Sequence, residues 1–317
     1  MKRPDDEAAT SSDAHLAPRA GRERLARALQ AQQEGLSHAR AKRAIVEGQV
    51  QVDGRTVRDP GAWVEAASEV LWLRDRPVDR TPAHLRVELL HADADVAVAV
   101  KPAGLLTIPT PDREKDTMVS RLATAITRKR GERPFLSVVH RLDRDTSGLC
   151  AFATSRRGLA SLQAQLLDRT MSRVYDAVVV GDLAGEAGTF AQELIGDGLR
   201  RKRWVARPGE HGKAAVTHWR VVERFGGATL VRVTLETGRT HQIRIHFAAA
   251  GHPVVGDPVY SAGITKAAPH GLARQALHAG ELSFRHPADG RVVRFTAAPP
   301  DDFARLLERL RAGKMRP

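Results

Sequence analysis

The stretch VVHRLDRDTSGLCAFAT, from Val138 to Thr154, sets a histidine, two arginines and two aspartates between two apolar runs. Val138-Val139 and Leu149 to Ala153 read as buried strand pieces, so any fold this chain adopts must bring those polar side chains to the rim of its core. Charged groups in such a place either pair in a salt-bridged turn or do chemistry. Thr146, Ser147 and Gly148 close the cluster and read as turn-formers, because a serine nucleophile would want a histidine base and the sequence indicates none.

At 317 residues and 42% hydrophobic content, the chain can bury one large core with a small domain beside it. Its net charge of +13 favours a polyanionic partner, nucleic acid ahead of an acidic membrane surface. A single cysteine, Cys150, excludes a disulfide framework and a multi-cysteine zinc site, and fits a reducing cytoplasm. No stretch approaches the roughly 20 apolar residues of a membrane span, and Met1 to Ala20 lacks the apolar core of a signal peptide. A cytoplasmic protein without membrane contact is therefore expected, acting as a monomer.

Residues 1–21 mix Asp, Ser, Ala, Lys and Pro without periodicity and read as a disordered leader. Residues 22–75 form a first domain: a helix over Leu25 to Leu36, a second capped by Ser37 and stopped by Gly48, a hairpin turning at Asp53-Gly54, and a strand over Glu69 to Leu73. Residues 76–84, with two prolines and alternating charge, read as a linker. The remainder, 85–317, is a second domain with strands over Arg86 to Leu90, Val96 to Val100, Val174 to Val180, Ala215 to Val222, Thr229 to Leu235 and Val292 to Thr296. Helices are expected over Thr117 to Lys129, Ser155 to Asp168 and Asp301 to Ala312. Runs of strands with little regular strand-helix alternation predict an α+β fold.

Cofactor motifs are missing. There is no HExxH, no glycine-rich dinucleotide fingerprint after a strand, and GEHGKAA at Gly209 to Ala215 lacks the spacing of a phosphate loop. His241, His246 and His252 are not at zinc-ligand spacing. Neither a metal nor a cofactor is expected, so chemistry must come from carboxylate, phenol and guanidinium groups.

Two segments carry resemblances. The order of elements through LSHARAKRAIVEGQVQVDGRTVRDPGAWV resembles the S-four-type RNA-binding domain over about Arg22 to Arg74, with His38 where that family usually has Arg. Arg40, Lys42 and Arg43 supply a basic helix face there, which would equally suit a solvated surface helix. The opening stretch, His140-Arg141-Leu142-Asp143-Arg144-Asp145-Thr146-Ser147-Gly148-Leu149, resembles the signature of the RluA family of RNA pseudouridine synthases. VAVAVKPAGLLT at Val96, SRVYDAVVVG at Ser172, TGRTHQIRIHFAAAGHPVVGDPVYS at Thr237 and LHAGELSFRHP at Leu277 resemble that family's further motifs, in its order.

This resemblance implies a pseudouridine synthase fold, with a central mixed, mainly antiparallel sheet, that isomerises uridine in RNA without cofactor. Large-subunit ribosomal RNA is the expected substrate, because the small N-terminal domain accompanies ribosomal-RNA members; transfer RNA, or a non-catalytic RNA-binding assembly factor, are the alternatives. It also implies roles: Asp143 as the reacting carboxylate, with Asp145 its surface-paired neighbour; Arg244, or failing it Arg239, as counter-charge; Tyr175 stacking on the flipped base; Leu277 walling the pocket; and Arg141 filling the gap left in the RNA stack. Phosphate contacts are expected from Arg200, Lys202 and Arg203, beside Trp204, and from Arg128 to Arg130.

Overall fold

A computed structural model describes residues 21–74, 87–110, 114–196, 203–261 and 272–313, with only the backbone at 128–130. The expected leader, but for Gly21, and the expected linker lie outside these residues, as do Arg200, Lys202 and the side chains of Arg128 to Arg130. The chain divides into two compact units, Met1–Thr81 and Pro82–Pro317.

In the first unit, β1 (Arg22–Arg24) precedes α1 (Leu25–Ala31) and α2 (His38–Val46). Ser37 caps α2 by accepting the Arg40 N–H. The first helix is shorter than its apolar spacing predicts, since Leu36 reaches the same core from the connection. Then come β2 (Val50–Val52), β3 (Arg55–Thr56), β4 (Trp63–Glu65) and β5 (Val70–Trp72). Asp53 and Gly54 both adopt positive φ in the β2–β3 hairpin, as an Asp-Gly turn requires. Leu25, Leu29, Ala41, Ile45 and Val50 are its fully or nearly fully buried centre.

The second unit is built on one sheet. Its strands are β6 (Glu88–Ala92), β7 (Val96–Lys101), β8 (Ser137–Val138), β9 (Ser147–Ala153), β10 (Ser172–Val180), β11 (Ala187–Gly196), β12 (Arg203–Val205), β13 (Lys213–Arg224), β14 (Ala228–Leu235), β15 (Leu277–Arg285) and β16 (Val292–Thr296). The order is β12-β11-β13-β14-β10-β15-β9-β7-β6, with β16 on β15 and β8 on β9. Only β15 and β9 pair in parallel among the described strands, so the sheet is mixed and mainly antiparallel. The fold is α+β, as the order of strands and helices predicts.

Helices α3 (Met118–Arg130), α4 (Arg156–Leu167), α5 (Gln242–Ala249) and α6 (Asp301–Arg311) complete the unit. Met118, Leu122 and Ile126 of α3 pack with Ala97, Ala99, Cys150 and Phe152. Phe303, Leu306 and Leu310 of α6 pack into the cluster around Val178, Val231 and Phe247.

The parallel seam is where the opening stretch meets the rest. Ser147 and Gly148 lie opposite His278 and Ala279. Gly148 has φ 116°, and a Cβ there would lie 2.3 Å from the Ala279 carbonyl oxygen. Only glycine fits, for both reasons. Ser147 Oγ meets His278 Nδ1 at 2.9 Å, a histidine partner that the sequence did not reveal. Both residues are buried and neither lines the cleft described below, so the pair joins β9 to β15; Ser147 and Gly148 lie in β9 itself, not in a turn as expected.

Replacing Gly148 with Ala should therefore destabilise the second unit by more than about 3 kcal/mol, through clash and backbone strain together. Urea unfolding of parent and variant measures this.

Candidate active site

The loop from Arg141 to Thr146 joins β8 to β9, and its backbone is held from two sides. Thr107 accepts from the Leu142 N–H at 3.1 Å and donates to the Leu142 carbonyl at 2.8 Å. Lys101 is fully buried and its Nζ donates to the carbonyls of Pro102, Leu105 and Arg144 at 2.7–2.8 Å. Burial pushes its pKa down to about 7, while three carbonyl acceptors match the three N–H bonds of an ammonium. Arg274 donates to the Asp145 carbonyl at 3.1 Å and pairs with Asp302. The Asp145 carboxylate has no ion pair among the described residues, contrary to the surface pairing expected of it.

So pinned, the loop presents Asp143 to a cleft of about 550 Å³. Arg244 Nη1 donates to Asp143 Oδ2 at 3.0 Å. The other edge of Arg244 grips Asp257 with two bonds, Nε to Oδ2 at 2.6 Å and Nη2 to Oδ1 at 2.9 Å. Arg244 is 4% exposed; burial opposes its charge, but Asp257 and Asp143 hold its pKa above the ordinary arginine value. Burial likewise opposes ionisation of Asp257, yet Arg244 and the Val259 and Tyr260 N–H groups hold its pKa below the ordinary range. The result is a carboxylate kept near an unchangeable positive charge and still 19% exposed to the cleft.

Arg239, the alternative partner, donates instead to the Ala214 carbonyl at 3.1 Å. Tyr175 on β10 and Leu277 on β15 are buried and line the cleft, as does Arg141, which is exposed. Burial raises the Tyr175 pKa, so its phenol stays protonated. Arg203 lies on β12 and is exposed; it does not line the cleft. Arg40, Lys42 and Arg43 are exposed on α2 of the other unit, where Arg43 pairs with Glu47 at 3.0 Å.

Three further residues of the site come from the structure. His241 caps α5 with φ 59° and places Nε2 3.9 Å from Asp143 Oδ1, with Nδ1 2.8 Å from the Tyr260 hydroxyl. Burial lowers its pKa against the pull of Asp143. Asp257 and Tyr260 lie in one tight turn, where the Asp257 carboxylate accepts the Tyr260 N–H at 3.1 Å. Their sequence signal, GDPVY, was quoted above as part of a longer motif without a role for the aspartate. Elsewhere, Asp93 joins His91 and His286 at 2.7 and 2.8 Å. His286 Nδ1 accepts the Ala288 N–H, which puts the ring proton on Nε2, facing Asp93; the trio is a hydrogen-bonded clasp between the β6–β7 turn and the end of β15.

A sequence model of RNA pseudouridylate synthases matches residues 95–249. The uncharacterized RNA pseudouridine synthase YlyB of Bacillus subtilis is 36% identical over 299 residues, covering 91% of this chain and 94% of that protein. The chain belongs to the RNA pseudouridylate synthase family. The ribosomal large subunit pseudouridine synthase D of Pseudomonas aeruginosa is also 36% identical, over 86% of this chain and 88% of its own length. The human protein RNA pseudouridylate synthase domain containing 4 shares the fold, with a TM-score of 0.59 at 24% identity over 71% of this chain and 93% of its own. The synthase is an isomerase of RNA uridine, and among its described residues no helix is long and apolar enough to cross a membrane.

Its buried histidines make stability depend on pH. Burial pushes the pKa of His140 down to about 3 and that of His246 to about 4, from an ordinary 6.5. Below pH 6.5 the unfolded chain takes up protons that the native state refuses, so stability is greatest above that pH and falls as pH drops towards 4. Each histidine contributes up to about 1.4 kcal/mol per pH unit. Urea midpoints between pH 7 and 4.5 should fall accordingly, and His140→Gln should flatten the slope.

Proposed function

We propose that the synthase converts uridine to pseudouridine in large-subunit ribosomal RNA, with Asp143 as the reacting carboxylate. The observation that carries this reading is the chain Asp143, Arg244, Asp257: an exposed carboxylate edge in a cleft, with its counter-charge locked from behind. The substrate class draws on relatives named for the ribosomal large subunit, such as the Pseudomonas aeruginosa protein.

Isomerisation breaks the bond from C1′ to N1 of uracil, turns the base, and joins C1′ to C5, whose proton passes to N1; nothing is oxidised or reduced. An ionised carboxylate serves every route to it, whether by attack on C1′, by attack on the uracil ring, or by removal of the 2′ proton. Arg244 holds the Asp143 carboxylate in place with a hydrogen bond of 3.0 Å. Tyr175 offers a flat face for the flipped uracil, and Leu277 closes the wall behind it. Arg141, exposed at the cleft, fills the space that the base leaves in the RNA stack.

The first unit is read as an S-four-type RNA-binding domain. Its hairpin and the exposed Arg40 and Lys42 of α2 support that reading, because cations free of carboxylates are available to phosphates. Arg22 pairs with Glu65 and Arg24 lies over Trp63, so those two contribute less.

Asp143→Asn keeps size and removes charge. It should abolish pseudouridine formation while leaving RNA affinity within a few-fold; product from this variant would sink the assignment. Mapping pseudouridine in ribosomal and transfer RNA treated with the parent enzyme distinguishes the substrates, and no product on either would favour a non-catalytic binding factor.

Deleting Met1 to Asp75 should leave residual conversion at high enzyme concentration. The salt slope of log affinity should fall by roughly two units, as for two or three lost phosphate contacts. An unchanged slope would remove the RNA-binding role from the first unit.

A further inference from the structure

Three arginines of the described residues are deeply buried: Arg173, Arg244 and Arg274. Arg244 is matched by Asp143 and Asp257, and Arg274 by Asp302. Arg173 is not matched. It is 7% exposed, its Nε is buried without an acceptor, and no carboxylate among the described residues pairs with it. A guanidinium cannot shed its proton, so an unpaired one in a protein wall is costly and points to a ligand.

The location says which ligand. Arg173 and Tyr175 are two residues apart on β10, hence on one face, and both line the cleft that holds Asp143. The guanidinium rests against Gly238, where a Cβ would stand 2.7 Å from Nη1. Neighbouring His140 offers no acceptor, because its Nε2 already accepts the Ala151 N–H at 3.1 Å, which leaves the proton on a buried, unpartnered Nδ1. The two carboxylates of the cleft are engaged: Asp143 by Arg244, and Glu236 by Arg169 and by His218 at 2.7 Å. Among the described residues the wall around Arg173 therefore supplies no carboxylate that pairs with it.

We propose that Arg173 binds a backbone phosphate next to the uridine being converted, and so sets the depth at which the ribose meets Asp143. The phosphodiester is the one anionic group of RNA, and its two non-bridging oxygens match a guanidinium fork. A uracil carbonyl would satisfy an N–H but leave the charge uncompensated. The assignment rests on reading the Asp143 cleft as the site of isomerisation.

The test uses a short RNA whose mapped uridine the full-length parent enzyme converts and Asp143→Asn does not, which establishes the cleft separately. Single methylphosphonate linkages replace the phosphate on the 5′ side, the 3′ side, or further away, each beside a 2′-deoxyribose. The same RNA with an ordinary phosphate at that deoxyribose is the reference, and Kd is the readout.

Arg173→Gln should weaken binding roughly 10- to 100-fold, the range for a hydrogen bond to a charged group. One neighbouring methylphosphonate should cost the parent as much and cost Arg173→Gln nothing more. Arg173→Lys, keeping the charge without the fork, should recover part of the loss. Gly238→Ala, whose new methyl displaces the guanidinium, should show the same insensitivity to that linkage. If Arg173→Gln does not fold, the Lys and Gly238→Ala variants give the same comparison. Equal methylphosphonate penalties in parent and variants at every linkage would overturn the assignment, and are what a uracil contact or a purely structural arginine would give. Conversion by Asp143→Asn would instead overturn the reading of the cleft.

Discussion

One constraint organises the second unit: the Asp143 carboxylate must be held in a fixed direction at the edge of a cleft. A lone arginine beside it would be free to swing away. The second aspartate resolves this. Asp257 takes two of the three nitrogens of Arg244, fixing the plane of the guanidinium, and the remaining nitrogen points at Asp143. The inner pair is the stronger clasp; the outer bond is single, so the second carboxylate oxygen of Asp143 takes no bond from Arg244. A buried pair of this kind gains little net stability against desolvation, and its use is to hold direction.

Direction at the side chain is of no use if the backbone moves. The loop that bears Asp143 is tied to Thr107 at Leu142, to Lys101 at Arg144 and to Arg274 at Asp145. The carbonyls of Leu142, Arg144 and Asp145 on one side and one of the two carboxylate oxygens of Asp143 on the other are therefore fixed by groups from distant parts of the chain. The parallel seam of β9 and β15 completes the arrangement, because Gly148 lets the backbone of β15 approach where any side chain would block it. The polar cluster between two apolar runs is thus neither a simple salt-bridged turn nor a row of reacting groups. Asp143 faces the cleft, Leu142, Arg144 and Asp145 lend their carbonyls, and Arg141 remains exposed.

Most of the sheet was legible because its strands are rich in β-branched and apolar residues: Val96 to Val100, Val174 to Val180 and Thr229 to Leu235 lie within β7, β10 and β14. Helices α3, α4 and α6 were legible from caps and one-sided patterning. Helix α5 was not, since every residue from Gln242 to Phe247 is buried and no polar face remains to reveal a helical period. Strand β11 was hidden for the opposite reason, being mostly exposed. In the site, Asp143, Tyr175 and Arg244 were named through resemblance, and they converge on one cleft or its ion pair. Asp257, His241 and Arg173 were not singled out, because their meaning lies in side-chain distances that only the fold sets, over 13 residues for Asp257 and Arg244 and across distant segments for the other two.

The net charge of +13 takes on a different sense once the pairs are assigned. Many of the cations are spent at the surface of the protein, on Glu65, Glu186 and Glu223 among others. An exposed pair of this sort contributes little and is screened by salt, so charge spent there does little to attract RNA. Attraction must come from cations without a carboxylate neighbour. In the first unit Arg40 and Lys42 meet that condition on an exposed helix face; in the second, Arg141 meets it at the mouth of the cleft and Arg173 within its wall. The buried case differs in kind, since low dielectric strengthens its field and no counter-ion atmosphere surrounds it. On the proposed reading, the exposed cations serve long-range capture and the buried one close positioning.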